Sequence, residues 1–259
     1  MNIFSSVLFH IPHDSKRIPK WCKSQFVLSK SALKNELILM SDYKTKALYS
    51  FDKRQKRLIA KVSRLVVDTE RFADDNNEIM SKVGMGVIYT KTSHQNALRH
   101  KISTKERNRL LKSYYYSHHK KFSQSVARIL TKYDKCLIID CHSFTSFKQD
   151  YEITSKGKRP QICLGSDSFH TSENLAEIAK NAFIKQDFEV GLNTPFAGSI
   201  VPLEFYEKDK RVSSIMIETR RDLYMDESSG KLRKDWRKTK ARINQACKEI
   251  CEYFSKLEH

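Results

Sequence analysis

The sequence has little glycine, little proline and no long apolar run. With 7 Gly and 5 Pro among 259 residues, its composition excludes a collagen-like or disordered chain. No apolar stretch approaches the roughly 20 residues that a membrane helix needs, and the N-terminus lacks the basic start and cleavage site of a secretory signal. We therefore expect a cytoplasmic protein without membrane segments.

CxxC pairs are also absent, which argues against a zinc ribbon or a thioredoxin-type centre. Cys247 and Cys251 stand four residues apart in a helical pattern, a spacing that favours the buried face of a helix over a metal site. We expect all six thiols to be reduced and mostly buried, at Cys22, Cys136, Cys141, Cys163, Cys247 and Cys251.

Positive charge is abundant: 48 Lys and Arg against 30 Asp and Glu give a formal net charge of +18. Such a charge concentrates anionic ligands near a basic cleft. It also raises nucleic-acid binding as an alternative function, together with the basic residues 231–242. Because no RNP, KH, zinc-finger or P-loop signature occurs, we do not expect nucleic-acid binding to be the main function.

Strand patterns alternate with helix patterns along the chain. Apolar runs at 3–11, 61–68, 85–90, 136–140, 160–165 and 213–218 predict strands, and periodic patterns over 106–133, 173–185 and 234–256 predict helices. This alternation predicts an α/β fold with a mixed, mostly parallel sheet flanked by helices on both faces. We expect residues 1–256 to form a single domain, and residues 257–259 resemble the remnant of an expression tag.

Polar residues follow several predicted strands, where open α/β sheets place their ligand sites. They are His13, Asp68, Arg71, His142 and Glu218. Buried polar groups cost free energy unless they are paired or bind a ligand, so their convergence predicts a functional site.

His13 and His142 are candidate metal ligands, because imidazole suits zinc and strands would fix both rings. A single histidine after a strand is more often structural, and only the neighbouring charges favour a metal. A catalytic zinc has three protein ligands and an open position, so Asp42 or Asp14 would complete the set. For Glu218 two interpretations stay open. It could be a general base, or it could form an ion pair with Arg220 or Arg221.

Eight segments occur in the order typical of one known family. They are His10-Ile-Pro-His13-Asp-Ser15 with Pro19, Ser41-Asp42, residues 62–68 with Arg71, His118-His119, Asp140-Cys-His142-Ser143, Leu164-Gly165 with Asp167, Asn193-Thr-Pro195-Phe196 with Gly198, and residues 218–227. With these segments the chain resembles the N-formylglutamate amidohydrolase family, whose fold is related to the zinc carboxypeptidases.

The resemblance implies a zinc-dependent amidohydrolase that cleaves an N-acyl acidic amino acid such as N-formylglutamate. It implies that His13, Asp42 and His142 bind one zinc ion per chain and that Glu218 is the general base. Arg71 and Arg221 would bind substrate carboxylates or the developing oxyanion. Further substrate contacts are implied for His119, Asn193 and Gly198, and Arg64 and Asp68 would orient ligands or serve the fold.

Three residues depart from the family pattern. Asp14 stands where a small Ser-Gly turn begins, Glu70 stands where Asn commonly precedes the arginine, and Arg220 precedes Arg221. Because each change alters side chains around the expected substrate, two alternatives stay open. One is a hydrolase with another substrate, either a paralogue that cleaves another N-acyl amino acid or a zinc carboxypeptidase-like peptidase that acts on a short peptide. The other is a non-catalytic binding protein with the same fold.

Overall fold

A six-stranded mixed sheet forms the centre of the computed structural model, which describes residues 2–152 and 159–257. The last two residues of the expected tag remnant lie outside that part. The strand order is β2-β1-β3-β6-β4-β5; β2, β1, β3 and β6 are parallel, and β4 runs antiparallel to β6 but parallel to β5. The strands are β1 Val7–Ile11, β2 Lys56–Ile59, β3 Cys136–Phe144, β4 Ile162–Gly165, β5 Val190–Leu192 and β6 Val212–Arg220. The predicted mixed, mostly parallel sheet is confirmed.

Helices cover both faces of this sheet, as predicted. Alternate residues of a strand point to opposite faces, so Ile139 packs towards α5 and α6 whereas Ile138 packs towards α4. The helices are α1 Lys30–Met40, α2 Thr45–Leu48, α3 Thr104–Leu110, α4 Ser117–Tyr133, α5 Glu173–Ile184 and α6 Trp236–Lys256. A π-helical turn, Leu111–Tyr116, joins α3 to α4 within the periodic pattern predicted over 106–133.

Serine caps fix several helix starts. The Ser29, Ser103 and Ser172 side chains each accept a backbone N–H from the first turn that follows them. Ser103 and Glu106 form a reciprocal capping box, which pairs two N–H groups that the helix itself leaves free.

Two predicted strands are wrong. Residues 61–68 and 85–90 form turns and loops, and their apolar side chains fill a separate core cluster beside the sheet. In the first segment Val66 N–H bonds back to Ser63 within a turn, and in the second Val87 C=O accepts from Asp68 N–H. The edge strand beside β1 is instead the partly exposed β2, just before residues 61–68; it begins with a lysine and an arginine and was not predicted.

The cysteine prediction is confirmed, since all six thiols are free and buried. Within the described ranges, no helix is long and apolar enough to span a membrane.

Candidate active site

A cavity of about 440 Å³ opens where the parallel strands end. His13 follows β1 by two residues, and His142 and Glu218 pair directly across β3 and β6 near their carboxyl ends. All three side chains line the cavity, together with Asp42 from the loop after α1. The sheet therefore brings together residues that are more than 200 positions apart in the sequence.

His13 is held by a buried carboxylate. Its Nε2 donates to Asp68 Oδ1 at 2.8 Å, and Asp68 Oδ2 accepts from Arg64 and from the Tyr89 hydroxyl at 2.7 Å. Burial raises the pKa of Asp68, but Arg64 and His13 outweigh it and hold that pKa well below its usual value. With a proton on Nε2, the His13 Nδ1 atom presents a lone pair, and this buried atom has no hydrogen-bond partner.

His142 lies among three carboxylates. Its Nδ1 is 3.0 Å from Asp42 Oδ2, and its Nε2 is 3.1 Å from Asp140 Oδ1 and 3.3 Å from Glu70 Oε2. The Nε2 contacts lack hydrogen-bond geometry, so that buried nitrogen is unsatisfied. Burial lowers the pKa of His142, but Asp140 and Glu70 outweigh burial and raise it well above the usual value.

Asp140 continues this network away from the cavity. Its Oδ1 accepts from His10 Nδ1 at 2.9 Å, and His10 Nε2 lies 2.9 Å from His118 Nε2. Burial, together with His10, lowers the pKa of His118 to about 2, so His118 is neutral. The His10 ring stacks on Phe122 at 4.6 Å, which fixes its orientation and that of Asp140.

Two carboxylates can supply a third metal ligand beside the histidines. Asp42 Oδ2 lies 3.6 Å from His13 Nδ1 and 3.0 Å from His142 Nδ1. Glu70 Oε2 lies 3.7 Å from His13 Nδ1, and the ligand atoms of His13, Glu70 and His142 all fall within 4.8 Å of one another. The two unsatisfied nitrogens, His13 Nδ1 and His142 Nε2, both face Glu70, and this donor set fits a divalent cation. Asp42 contacts His142 at the other nitrogen, Nδ1.

Asp14, the other carboxylate expected as a ligand, does not reach the cavity. Its Oδ1 accepts the Lys46 N–H at 3.1 Å in the first turn of α2. The structure thus corrects that alternative: Asp14 caps a helix instead of adding charge beside a metal.

Glu218 is buried in the same cavity. Its Oε2 has no hydrogen-bond partner, and burial raises its pKa to about 7. An ion pair of Glu218 with Arg220 or Arg221 is not observed, because the Arg220 guanidinium bonds Asp222 and the Arg221 guanidinium bonds Asp42. A carboxylate with a pKa near neutrality can accept and release a proton during catalysis.

Comparison with known proteins agrees with this geometry. The sequence profile of the N-formylglutamate amidohydrolase family matches residues 5–225, most of the chain. The chain belongs to the N-formylglutamate amidohydrolase family. It is therefore a hydrolase that acts on an amide bond. No curated protein matches the sequence.

Two crystal structures share the fold of this family member. The N-formylglutamate amidohydrolase of Ralstonia eutropha superposes with a TM-score of 0.84 at 19% identity, covering 97% of this chain and 94% of that one. A gene product of Agrobacterium tumefaciens superposes with a TM-score of 0.70 at 18% identity, covering 98% and 92%. Their similarity supports the α/β fold described above.

The two arginines expected to bind substrate, Arg71 and Arg221, differ from each other in their hydrogen bonds. Arg221 donates to Ser143, to Leu39 C=O and to Asp42 Oδ1, so its guanidinium is occupied in positioning Asp42. Arg71 lies 3.9 Å from Asp68, and its buried Nε has no partner. Among the described residues, the Arg71 guanidinium has only this long ion pair, whereas the Arg221 guanidinium is bonded to Asp42, Ser143 and Leu39.

Of the other residues expected near the substrate, some line the cavity and some do not. His119 lines the cavity while its Nε2 donates to Thr69 C=O at 2.8 Å, and Gly198 lines it with a φ of 88° that favours glycine. Asn193 is exposed, bonds Ser166 and does not reach the cavity. Arg220 bonds Asp222 and Arg159 C=O outside it, so this departure leaves the cavity unchanged.

The sequence analysis did not predict that Glu70 faces both histidines, and it gave Asp140 no role. Asp140 and His142 are two residues apart on a buried strand, so they share a face, and this spacing was a usable signal. Glu70 lies in a loop, and no local pattern predicts that it faces both histidines.

Proposed function

We propose that this chain is a zinc-dependent amidohydrolase that cleaves the acyl group from an N-acyl amino acid. The observation that carries the proposal is the pair of buried, unsatisfied imidazole nitrogens, His13 Nδ1 and His142 Nε2, in one cavity with the unpartnered Glu218 Oε2. Three buried unpaired polar atoms at one place are costly to a fold unless they serve a ligand.

His13, His142 and Asp42 would hold the metal, with Glu70 as the competing third ligand. Asp68 fixes His13 and Arg221 fixes Asp42, so two of the three ligands are oriented by a further residue, as metal ligands usually are. When bound, zinc lowers the pKa of water and polarises a carbonyl group, which supplies the nucleophile and the electrophile for amide hydrolysis.

Glu218 would move the proton. As a carboxylate it accepts a proton from the attacking water, and as a carboxylic acid it donates that proton to the leaving nitrogen. Its burial suits both roles, because burial raises its pKa towards the working pH. Arg71, which no hydrogen bond occupies, would pair with the substrate carboxylate through two parallel hydrogen bonds.

Metal content tests the proposal first. We expect about one zinc per chain by mass spectrometry on tag-free protein, and its loss in His142→Ala. Asp42→Asn and Glu70→Gln then identify the third ligand, since only loss of a true ligand removes zinc. Hydrolysis is screened on N-formylglutamate and other N-acyl amino acids, and absence of zinc from the parent even after zinc addition would refute the proposal.

A further inference from the structure

We propose that the chain has a second site for a divalent metal ion, formed by His10, Asp140 and Glu70, next to the site proposed for zinc. In this arrangement Glu70 bridges the two ions through its two carboxylate oxygens. The inference rests on the proposed zinc site and adds a second ion to it. Three observations support it: the contacts of the Glu70 oxygens, the position of Asp140 between two histidines, and the hydrogen bonds that hold His10 and Glu70.

The two carboxylate oxygens of Glu70 contact different histidines. Oε2 lies 3.3 Å from His142 Nε2 and 3.7 Å from His13 Nδ1, the two nitrogens that face the proposed zinc site. Oε1 lies 3.5 Å from His10 Nδ1, and among the described residues this buried oxygen has no hydrogen-bond partner. A buried carboxylate oxygen is costly to a fold unless a donor or a cation binds it. A bridging carboxylate accounts for both oxygens, because one ion binds at Oε2 and the other at Oε1.

Asp140 lies between the two proposed sites. Its Oδ1 is 2.9 Å from His10 Nδ1 and 3.1 Å from His142 Nε2, and the second contact lacks hydrogen-bond geometry. One ligand atom from each of His10, Glu70 and Asp140 falls within 4.8 Å of the other two. An imidazole nitrogen with two carboxylate oxygens is a ligand set that zinc and similar divalent metals accept. The group therefore has the donor types and the spacing of a metal site.

His10 and Glu70 are held in place by further residues, as metal ligands usually are. His10 Nε2 lies 2.9 Å from His118 Nε2, and the His10 ring stacks on Phe122. Either imidazole can donate the hydrogen bond between them, so the His10 proton can move from Nδ1 to Nε2 and leave Nδ1 free for an ion. The Glu70 N–H donates to Asp68 Oδ1 at 3.0 Å, which fixes the backbone at the bridging residue.

A structural pair of His10 and Asp140 is the alternative interpretation, since Nδ1 also has the geometry to donate to Oδ1. That pair leaves Glu70 Oε1 unsatisfied and puts a second carboxylate beside the same imidazole. A cation between the three groups satisfies Oε1 and offsets both negative charges. Its entry replaces the hydrogen bond between His10 and Asp140, so the second ion binds more weakly than the first. Purified protein therefore carries about one zinc per chain and takes up a second when zinc is added.

Zinc uptake tests the second site without a measurement of hydrolysis. Tag-free protein is dialysed against increasing concentrations of free zinc, and bound zinc per chain is measured by mass spectrometry. We expect uptake to reach about two zinc ions in the parent and about one in His10→Gln, which lacks the imidazole. The matched control is His170→Gln, because His170 is a buried histidine that bonds Val212 C=O outside the cavity. This control should bind about two zinc ions, like the parent.

A second variant tests the bridge and does not depend on the folding of His10→Gln. Glu70 lies in a loop and is partly exposed, so Glu70→Gln is a mild change for the fold. We expect this variant to lose at least the second zinc ion, because an amide supplies one oxygen where the carboxylate supplies two. Thermal unfolding checks that each variant is folded.

The outcomes distinguish this inference from the proposed function. Saturation of the parent at about one zinc would overturn the second site and leave the proposed amidohydrolase intact, whereas no zinc in the parent would refute both. Uptake of two ions by His10→Gln or by Glu70→Gln would overturn the inference, because the second ion would then bind elsewhere. Loss of both ions from folded His10→Gln would overturn it too, because His10 would then support the first site.

Discussion

The side of the cavity that carries His13 and His142 is built differently from its apolar side, which includes Phe72 and Leu203. His13 and His142 lie on or just after central strands. Asp68 bonds His13, Asp42 bonds His142, and Arg221 in turn bonds Asp42. Phe72 and Leu203 lie in loops and expose about half or more of their surface. Rigid strand ends thus hold the groups that chemistry needs at fixed distances, whereas loops supply the surface that can vary with the substrate.

The largest expected effect separates chemistry from metal binding. We expect Glu218→Gln to lower kcat by about 10²–10⁴-fold, because an amide cannot accept the proton. Zinc content should equal that of the parent, since Glu218 is placed as a base and not as a ligand. Steady-state kinetics and mass spectrometry measure the two quantities. Loss of zinc in this variant would move Glu218 to the metal shell.

A smaller effect, on zinc affinity, is expected for a substitution of Asp68, which bonds the proposed ligand His13. Asp68→Asn removes the charge that orients His13, and outer-shell changes of this kind weaken metal binding by about 10–100-fold. Competition with a zinc chelator measures the affinity. Asp14→Asn is the matched control, because Asp14 caps α2 outside the cavity and should leave zinc affinity unchanged. Thermal unfolding of both variants checks that Arg64, which loses its charged partner, has not unfolded the protein.

A substitution on the apolar side of the cavity should weaken substrate binding and leave metal binding unchanged. We expect Phe72→Ala to raise KM by about tenfold for an apolar substrate, because the variant loses apolar contact with it. The kcat and the zinc content should stay near the parent values. Its high exposure implies little change in stability. A fall in kcat equal to the fall in kcat/KM would contradict this role, because it would show that Phe72 contributes to stabilising the transition state.

The smallest effect lies away from the cavity altogether. Ser103→Ala removes the capping box at α3 and should lower the free energy of unfolding by about 1 kcal/mol. Denaturant titration measures the loss, and kinetics should be unchanged. Reduced activity at full folding would show that α3 influences the cavity.

Particular segments show how far the sequence could predict this molecule. The central strands β3 and β6 were predictable, because continuous apolar runs signal burial on both faces. The apolar run at 61–68 was mistaken for a strand, because burial alone does not distinguish a strand from a turn packed in a side cluster. The polar edge strand β2 was missed for the converse reason, since its pairing depends on β1 and not on its own pattern.

The sequence by itself determined the central strands, the histidines at their ends and the resemblance that the family match confirmed. Only the tertiary structure decided which charged side chains face the cavity. It turned Asp14, Asn193 and Arg220 away, occupied Arg221 with Asp42, and brought Glu70 to the two histidines. The physical reason is that strand patterns are local, with a period of two residues. The direction of a polar side chain depends instead on partners that the fold brings to it, such as Asp42 for Arg221, 179 residues away.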